Sequence, residues 1–431
     1  MNSTDASDNG SLLQIVSKHR PQLEPFIEAY KTMHQLPELS RQESKTANLT
    51  AKHLANKGFE IIQGIRGFST VGILRNGPGK KVLLRADMDA LPILEATSLP
   101  YASERCMIDV VDGQEKPVMH ACGHDMHTAC LMAAASCLAA AREHWSGTLI
   151  CLFQPDEEVG AGARSMIADG LYDKIPRPDL LLAQHVFPLR AGVVSLLHGP
   201  VFSALDEFRV RVFGKGGHAP RPEACVDPVV LAAHIIVRLQ SVVSREVPPR
   251  SVAMITCGSI HGGSASNVIA DHVEFTLSIR SYEPSVRSRV LNAIMRTIKS
   301  ECEISGSPKT PEIERTDEAP PVINDETLTR DVRHSFEASF RSDVQAMTPT
   351  LASEDFPYLA CGDMPYVYWT IGCIEPSKWD GAEAEGTVDE LPGLHSAGFA
   401  PCIDPTLQRG ADALAIAALT FLGAERTETS R

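Results

Sequence analysis

The chain of 431 residues carries 54 acidic side chains against 40 Lys and Arg, a formal net charge of −14. A surface this acidic repels phosphate backbones and argues against nucleic acid as a partner. At 43% hydrophobic and 22% charged residues the composition is globular, and the length exceeds the roughly 250–300 residues at which one core stops growing, so two domains are expected.

Residues 1–10 are polar and read as a disordered start, with no basic-then-apolar signal pattern. Helical spacing of apolar residues covers 11–36 and 40–57. Short strands are expected at 59–62, 71–74 and 81–86, separated by Gly and Pro turns. A long loop through 112–115 leads to a helix over 127–144, a buried central strand over 148–154, a short helix over 161–169 and a strand over 180–185. This alternation reads as an α/β sandwich. From about residue 198 the texture changes. Strands at 206–213, 251–259, 272–281 and 309–315 alternate with helices at 227–244 and 284–302, the order of a ferredoxin-like α+β unit. A final helix is expected over 410–422. The expected domains are therefore a catalytic part over 11–197, an inserted lid or dimerisation domain over 198–315, and a second catalytic part over 316–431. The apolar runs 131–141 and 413–424 are shorter than the ~20 residues that a bilayer core requires, so no membrane span is expected. The eleven cysteines, an odd set without a C-x-x-C pair, read as reduced thiols in the cytoplasm.

The densest chemistry lies in Met119-His120-Ala121-Cys122-Gly123-His124-Asp125-Met126-His127. Thiolate and imidazole together suit a zinc-like ion, although Cys122 with a histidine base is also the pattern of a nucleophile. Asp156, Glu157 and Glu158 directly follow the buried strand, where three adjacent acids repel unless a cation compensates them. Adjacent glutamates also permit a division of labour between ligand and base. His185 ends the next strand, where α/β sheets place functional groups. Gly216-Gly217-His218 ends the first strand of the inserted unit and aims one imidazole outward. Asn267 follows a Gly/Ser-rich turn, Arg280 closes a later strand, and His395 sits in a Gly/Pro-bounded loop. The H-E-x-x-H, G-x-S-x-G, P-loop and dinucleotide motifs are absent.

Arg85-Ala86-Asp87-Met88-Asp89-Ala90-Leu91-Pro92, His120-Ala121-Cys122-Gly123-His124-Asp125 and Phe153-Gln154-Pro155-Asp156-Glu157-Glu158 occur in that order. Asn267-Val268-Ile269, Ser353-Glu354-Asp355-Phe356 and Leu394-His395-Ser396 follow. Together they resemble the N-acyl-amino-acid amidohydrolases of the aminoacylase/carboxypeptidase metallopeptidase superfamily, in the hippurate and auxin-conjugate branch. The resemblance implies a zinc-peptidase-like α/β sandwich with an inserted lid. It also implies two divalent metal ions per subunit (Zn or Mn) on Cys122, His124, Glu158, His185 and His395. Glu157 is the implied general base, His218 the lid histidine, and Asn267 and Arg280 substrate contacts. The implied substrate is a small N-acyl amino acid, and a homodimer through the inserted domain is expected. A metallo-dipeptidase or carboxypeptidase with the same centre is the alternative, as is a non-catalytic binding protein. Three positions depart from the family pattern. Asp156 replaces a usually small residue, Glu223 a common His, and Ala270 a common Pro.

Overall fold

The computed structural model describes residues 9–423. The expected disordered start thus lies outside the described residues for 1–8, while residues 9 and 10 open the first helix, Asn9–His19. The chain forms two compact units. One comprises the chain up to Gly199, Asn324–Thr348 and everything from Asp355 onward; the other comprises Pro200–Ile323 with Pro349–Glu354.

The larger unit is built on an eight-stranded mixed sheet. Its centre consists of four parallel neighbours, Gly147–Gln154, Lys81–Asp87, Leu180–Arg190 and Tyr366–Ile374. These strands do not alternate apolar with polar residues, because both faces of the sheet are covered: Val82, Leu83 and Leu84 are all buried, as are Leu149 to Phe153. Thr70–Asn76 and Glu60–Gln63 extend one edge antiparallel. On one face the helix His124–Ala140 is buried on nearly every side. Its run of alanines lets it lie close to the equally buried helix Thr406–Leu422.

Local chemistry moves several expected boundaries. The region 11–36 is not one helix but two, Asn9–His19 and Glu24–Gln35, because Pro21 removes an amide and disfavours helix in the residue before it. The helix expected over 127–144 begins at His124 and ends at Ala140, followed by a 3-10 turn over Arg142–His144. Gly123 starts it with φ +83°, and a Cβ there would stand 2.4 Å from Val186 Cγ2, so only glycine fits. The long loop carries a small hairpin, Cys106–Ile108 with Glu115–Pro117. His185 does not end its strand, which continues to Arg190.

The smaller unit is a four-stranded antiparallel sheet in the order Ala253–Gly262, His272–Ser281, Ala204–Phe213, Glu312–Ala319. With helices Pro228–Glu246 and Pro284–Ile304 this is the ferredoxin-like arrangement, and its last strand runs past residue 315. Asp227 caps the first helix by accepting from Val229 and Val230 amides. Among the described residues that helix alone is long and apolar enough to cross a membrane, which the count of apolar runs did not pick out. Here Leu231, Ile235, Leu239 and Val242 pack into the unit's own core beside Phe275 and Leu277.

Candidate metal centre

The site grows from the carboxyl ends of the central parallel strands, where α/β sheets open a crevice. Strand Lys81–Asp87 ends in Asp87, and Asp89 follows just beyond it. Both are buried. The segment after Gln154 brings Glu157 and Glu158, with Asp156 held at φ +65°. Helix His124–Ala140 presents His124 in its first turn, and Cys122 precedes it. His395, at φ +62°, is held by its own amide donating to Ala121 O at 2.8 Å.

Two donor groups share Glu158 here. Cys122, Glu158 and His395 offer ligand atoms within 4.8 Å of one another, and so do His124, Glu157 and Glu158. His395 Nε2 stands 3.2 Å from Cys122 Sγ and 3.5 Å from Glu158 Oε2. His185 Nε2 stands 3.5 Å from Cys122 Sγ, because its Nδ1–H donates to Val186 O at 2.5 Å. His124 Nδ1 donates to Asp89 Oδ1 at 3.3 Å, which turns Nε2 toward Asp87, Glu157 and Glu158 at 3.8, 3.9 and 3.7 Å. Asp89 Oδ2 in turn accepts from the Glu158 amide at 2.9 Å and from Ser40 Oγ at 2.8 Å.

The donor chemistry fits a cation. His124 Nε2 and Glu158 Oε1 are buried atoms with no hydrogen-bond partner. Burial opposes a charged His124, yet Asp87, Asp89 and Glu158 outweigh it and raise its pKa to about 10. Burial pushes Glu158 up to about 7; Asp89 and Asp87 add to the rise while His124 opposes it. The cluster thus favours positive charge at its centre. Burial, then Glu158 and Glu157, push the Cys122 thiol well above its usual range.

Sequence reasoning did not single out the supporting residues. His127 is no free ligand: Val186 N–H donates to its Nε2 at 2.7 Å, so its Nδ1–H donates to Asp87 Oδ1 at 2.5 Å. Arg85, buried, donates from Nη1 to Asp87 at 2.5 Å and from Nε to Gln154 at 2.9 Å, with Nη2 3.3 Å from Asp355. The signal available was the Asp87/Asp89 spacing at a strand end. Asp156 is not a loose charge beside Glu157, since its carboxylate faces Arg41 Nε at 3.3 Å and its amide donates to Glu43 at 2.9 Å.

The remaining expected contacts lie in the smaller unit. His218 pairs across a two-residue ladder with Val268, next to Asn267, and both His218 and Asn267 are exposed. Arg280 sits toward the other end of strand His272–Ser281 and donates to Leu351 O at 3.3 Å. At about 3.4 Å per residue the strand separates Arg280 from His272 by roughly 27 Å. Within this unit, therefore, Arg280 does not join His218 and Asn267. Glu223 is exposed and Ala270 half-buried.

Residues 83–389, which carry most of this frame, match the family described as Peptidase family M20/M25/M40. The chain belongs to that family. The N-acetyl-L-cysteine deacetylase of Bacillus subtilis (strain 168) is 38% identical over 333 residues, spanning 76% of this chain and 75% of that protein. Thermostable carboxypeptidase 2 of Saccharolobus solfataricus is 33% identical over 406 residues, spanning 92% of this chain and 95% of its own. Among solved structures, the Bacillus subtilis YXEP protein, described as a dinuclear metal-binding peptidase from the M20 family, superposes with a TM-score of 0.74 at 25% identity. It covers 93% of this chain and 98% of its own. The α/β frame with its separate small sheet is thus an M20 fold.

Proposed function

We propose that this M20 protein hydrolyses the amide bond of N-acyl amino acids, with Glu157 as general base. The observation that carries the reading is that Glu157 belongs to one of two donor groups that share Glu158. Cys122, His124, Glu158, His185 and His395 would hold two divalent ions, zinc or manganese. Ions held there would supply Lewis acidity, lowering the pKa of water toward ~7. Glu157 takes the proton of the attacking water and returns it to the leaving amine. His218 and Asn267 are read as donors to the oxyanion and Arg280 as the partner of the amino acid's carboxylate, the two sets serving one substrate from different subunits of a homodimer because they lie far apart within one.

The deacetylase relative favours an N-acyl amino acid as substrate. The carboxypeptidase relative, which matches more of the chain, is the observation that favours peptides as a second reading. Steady-state hydrolysis of N-acetyl amino acids against dipeptides and longer peptides separates the two. The proposal expects kcat/KM for the best acyl amino acid to exceed that for any peptide. The reverse order makes the protein a peptidase.

The eleven cysteines are all free thiols, which supports a cytoplasmic location. Among the described residues strand Ala253–Gly262 is an edge of its sheet, and with Met254 and Ile260 exposed it supports a homodimer through the smaller unit.

A further inference from the structure

His34 belongs to none of the donor groups, yet it bridges two carboxylates deep inside the larger unit. Its Nδ1 lies 2.7 Å from Asp125 Oδ2 and its Nε2 3.0 Å from Glu95 Oε1, and all three side chains are 0% exposed. A neutral imidazole donates from only one nitrogen, so spanning two carboxylates requires the imidazolium. Burial by itself lowers the pKa, but the bonds to Asp125 and Glu95 outweigh it and raise it to about 9. The rings of Tyr30 and Tyr101 flank the imidazole with centroids 5.6 and 5.4 Å away.

Both ends of the bridge are anchored. Glu95 accepts from Ser103 N at 2.6 Å and from Thr97 Oγ1. Asp125 accepts from Met126 N at 2.8 Å. Asp125 directly follows His124 in the first turn of helix His124–Ala140, three residues after Cys122. A line of charge-assisted hydrogen bonds thus ties segment 95–103, through helix Glu24–Gln35, to the turn that carries two of the proposed ligands.

We infer that His34 is a positioning residue for the metal-ligand turn: its cation clamps Asp125 to Glu95 and thereby fixes Cys122 and His124. This rests on the ligand reading above. Outer partners that orient ligands typically change metal affinity 10–100-fold when removed.

The test is zinc affinity of the purified full-length protein, measured by competition with a chromogenic chelator, beside the melting temperature of each metal-free variant. His34→Gln is expected to weaken zinc binding about 10–100-fold, and Glu95→Gln to weaken it in the same direction. A lowered melting temperature with unchanged zinc affinity in both variants makes the bridge merely structural and overturns the inference. If His34→Gln does not fold, Glu95→Gln decides alone. Cys122→Ala in the same titration keeps the two readings apart. Wild-type affinity in Cys122→Ala sinks the ligand assignment and this inference with it. Loss there, with His34→Gln and Glu95→Gln unaffected, sinks only the inference.

Discussion

The two units place their densest groups of charge differently. In the larger one, Arg85, Asp87, Asp89, His124 and His127 are buried and locked to one another. In the smaller one, Arg209 and Arg211 face Glu274, Glu312 and Glu314 across an exposed sheet face, and His218 and Asn267 are open to solvent. Buried ions are costly and persist when they are paired and hydrogen-bonded, so such a cluster restricts the geometry of its members. Exposed ion pairs leave side chains free and add little stability. The larger unit is built to hold a reactive constellation still, and the smaller to present side chains that can adjust.

The sharpest way to break that contrast is Glu157→Gln. Loss of the base is expected to lower kcat by about 10²–10⁴-fold, with metal content by elemental analysis unchanged. Retained turnover removes Glu157 from the mechanism. His218→Ala is expected to cost about 10²–10³-fold in kcat, the scale of one oxyanion donor, with no change in melting temperature because the side chain is exposed. A large drop in stability contradicts its place on the adjustable side.

Stability should divide the same way. Asp87→Asn strips the charge from a carboxylate bonded to Arg85 and His127, and denaturant unfolding of the metal-free protein should register about 3–5 kcal/mol. Arg209→Ala, whose partners are Glu274 and Glu314, should register about 0–1 kcal/mol. Equal losses erase the distinction. His34 adds a pH dependence. Its folded pKa of about 9 lies above the ordinary 6.5, so its contribution is complete below pH ~6.5 and is lost as pH rises through about 9. That window is worth roughly 3 kcal/mol in the metal-free protein. His34→Gln should flatten it, and an unchanged profile would show that His34 is not the titrating group.

The same contrast explains what the sequence could and could not convey. The smaller unit was readable almost strand by strand, because buried and half-buried residues largely alternate with period two along Ala204–Phe213 and His272–Ser281. The central helix was harder. Its start depends on Gly123 against Val186, a contact across 63 positions, and its all-round burial gives no periodic stripe. The clustered Cys122, His124, Glu157 and Glu158 stood out by local density. His34 did not, since its partners lie 61 and 91 residues away. Asp87 and Asp89 were quoted within a motif, but only folding shows Asp89 turning the His124 ring. The strand carrying His185 continues because Ile371, Gly372 and Ile374 pair with it beyond that point.

The most direct measurement is release of free amino acid from an N-acetyl amino acid by metal-stripped protein, before and after addition of zinc or manganese. The account predicts no turnover from the stripped protein and restored turnover on metal addition. Full activity in the stripped protein, undiminished by excess chelator, would contradict it.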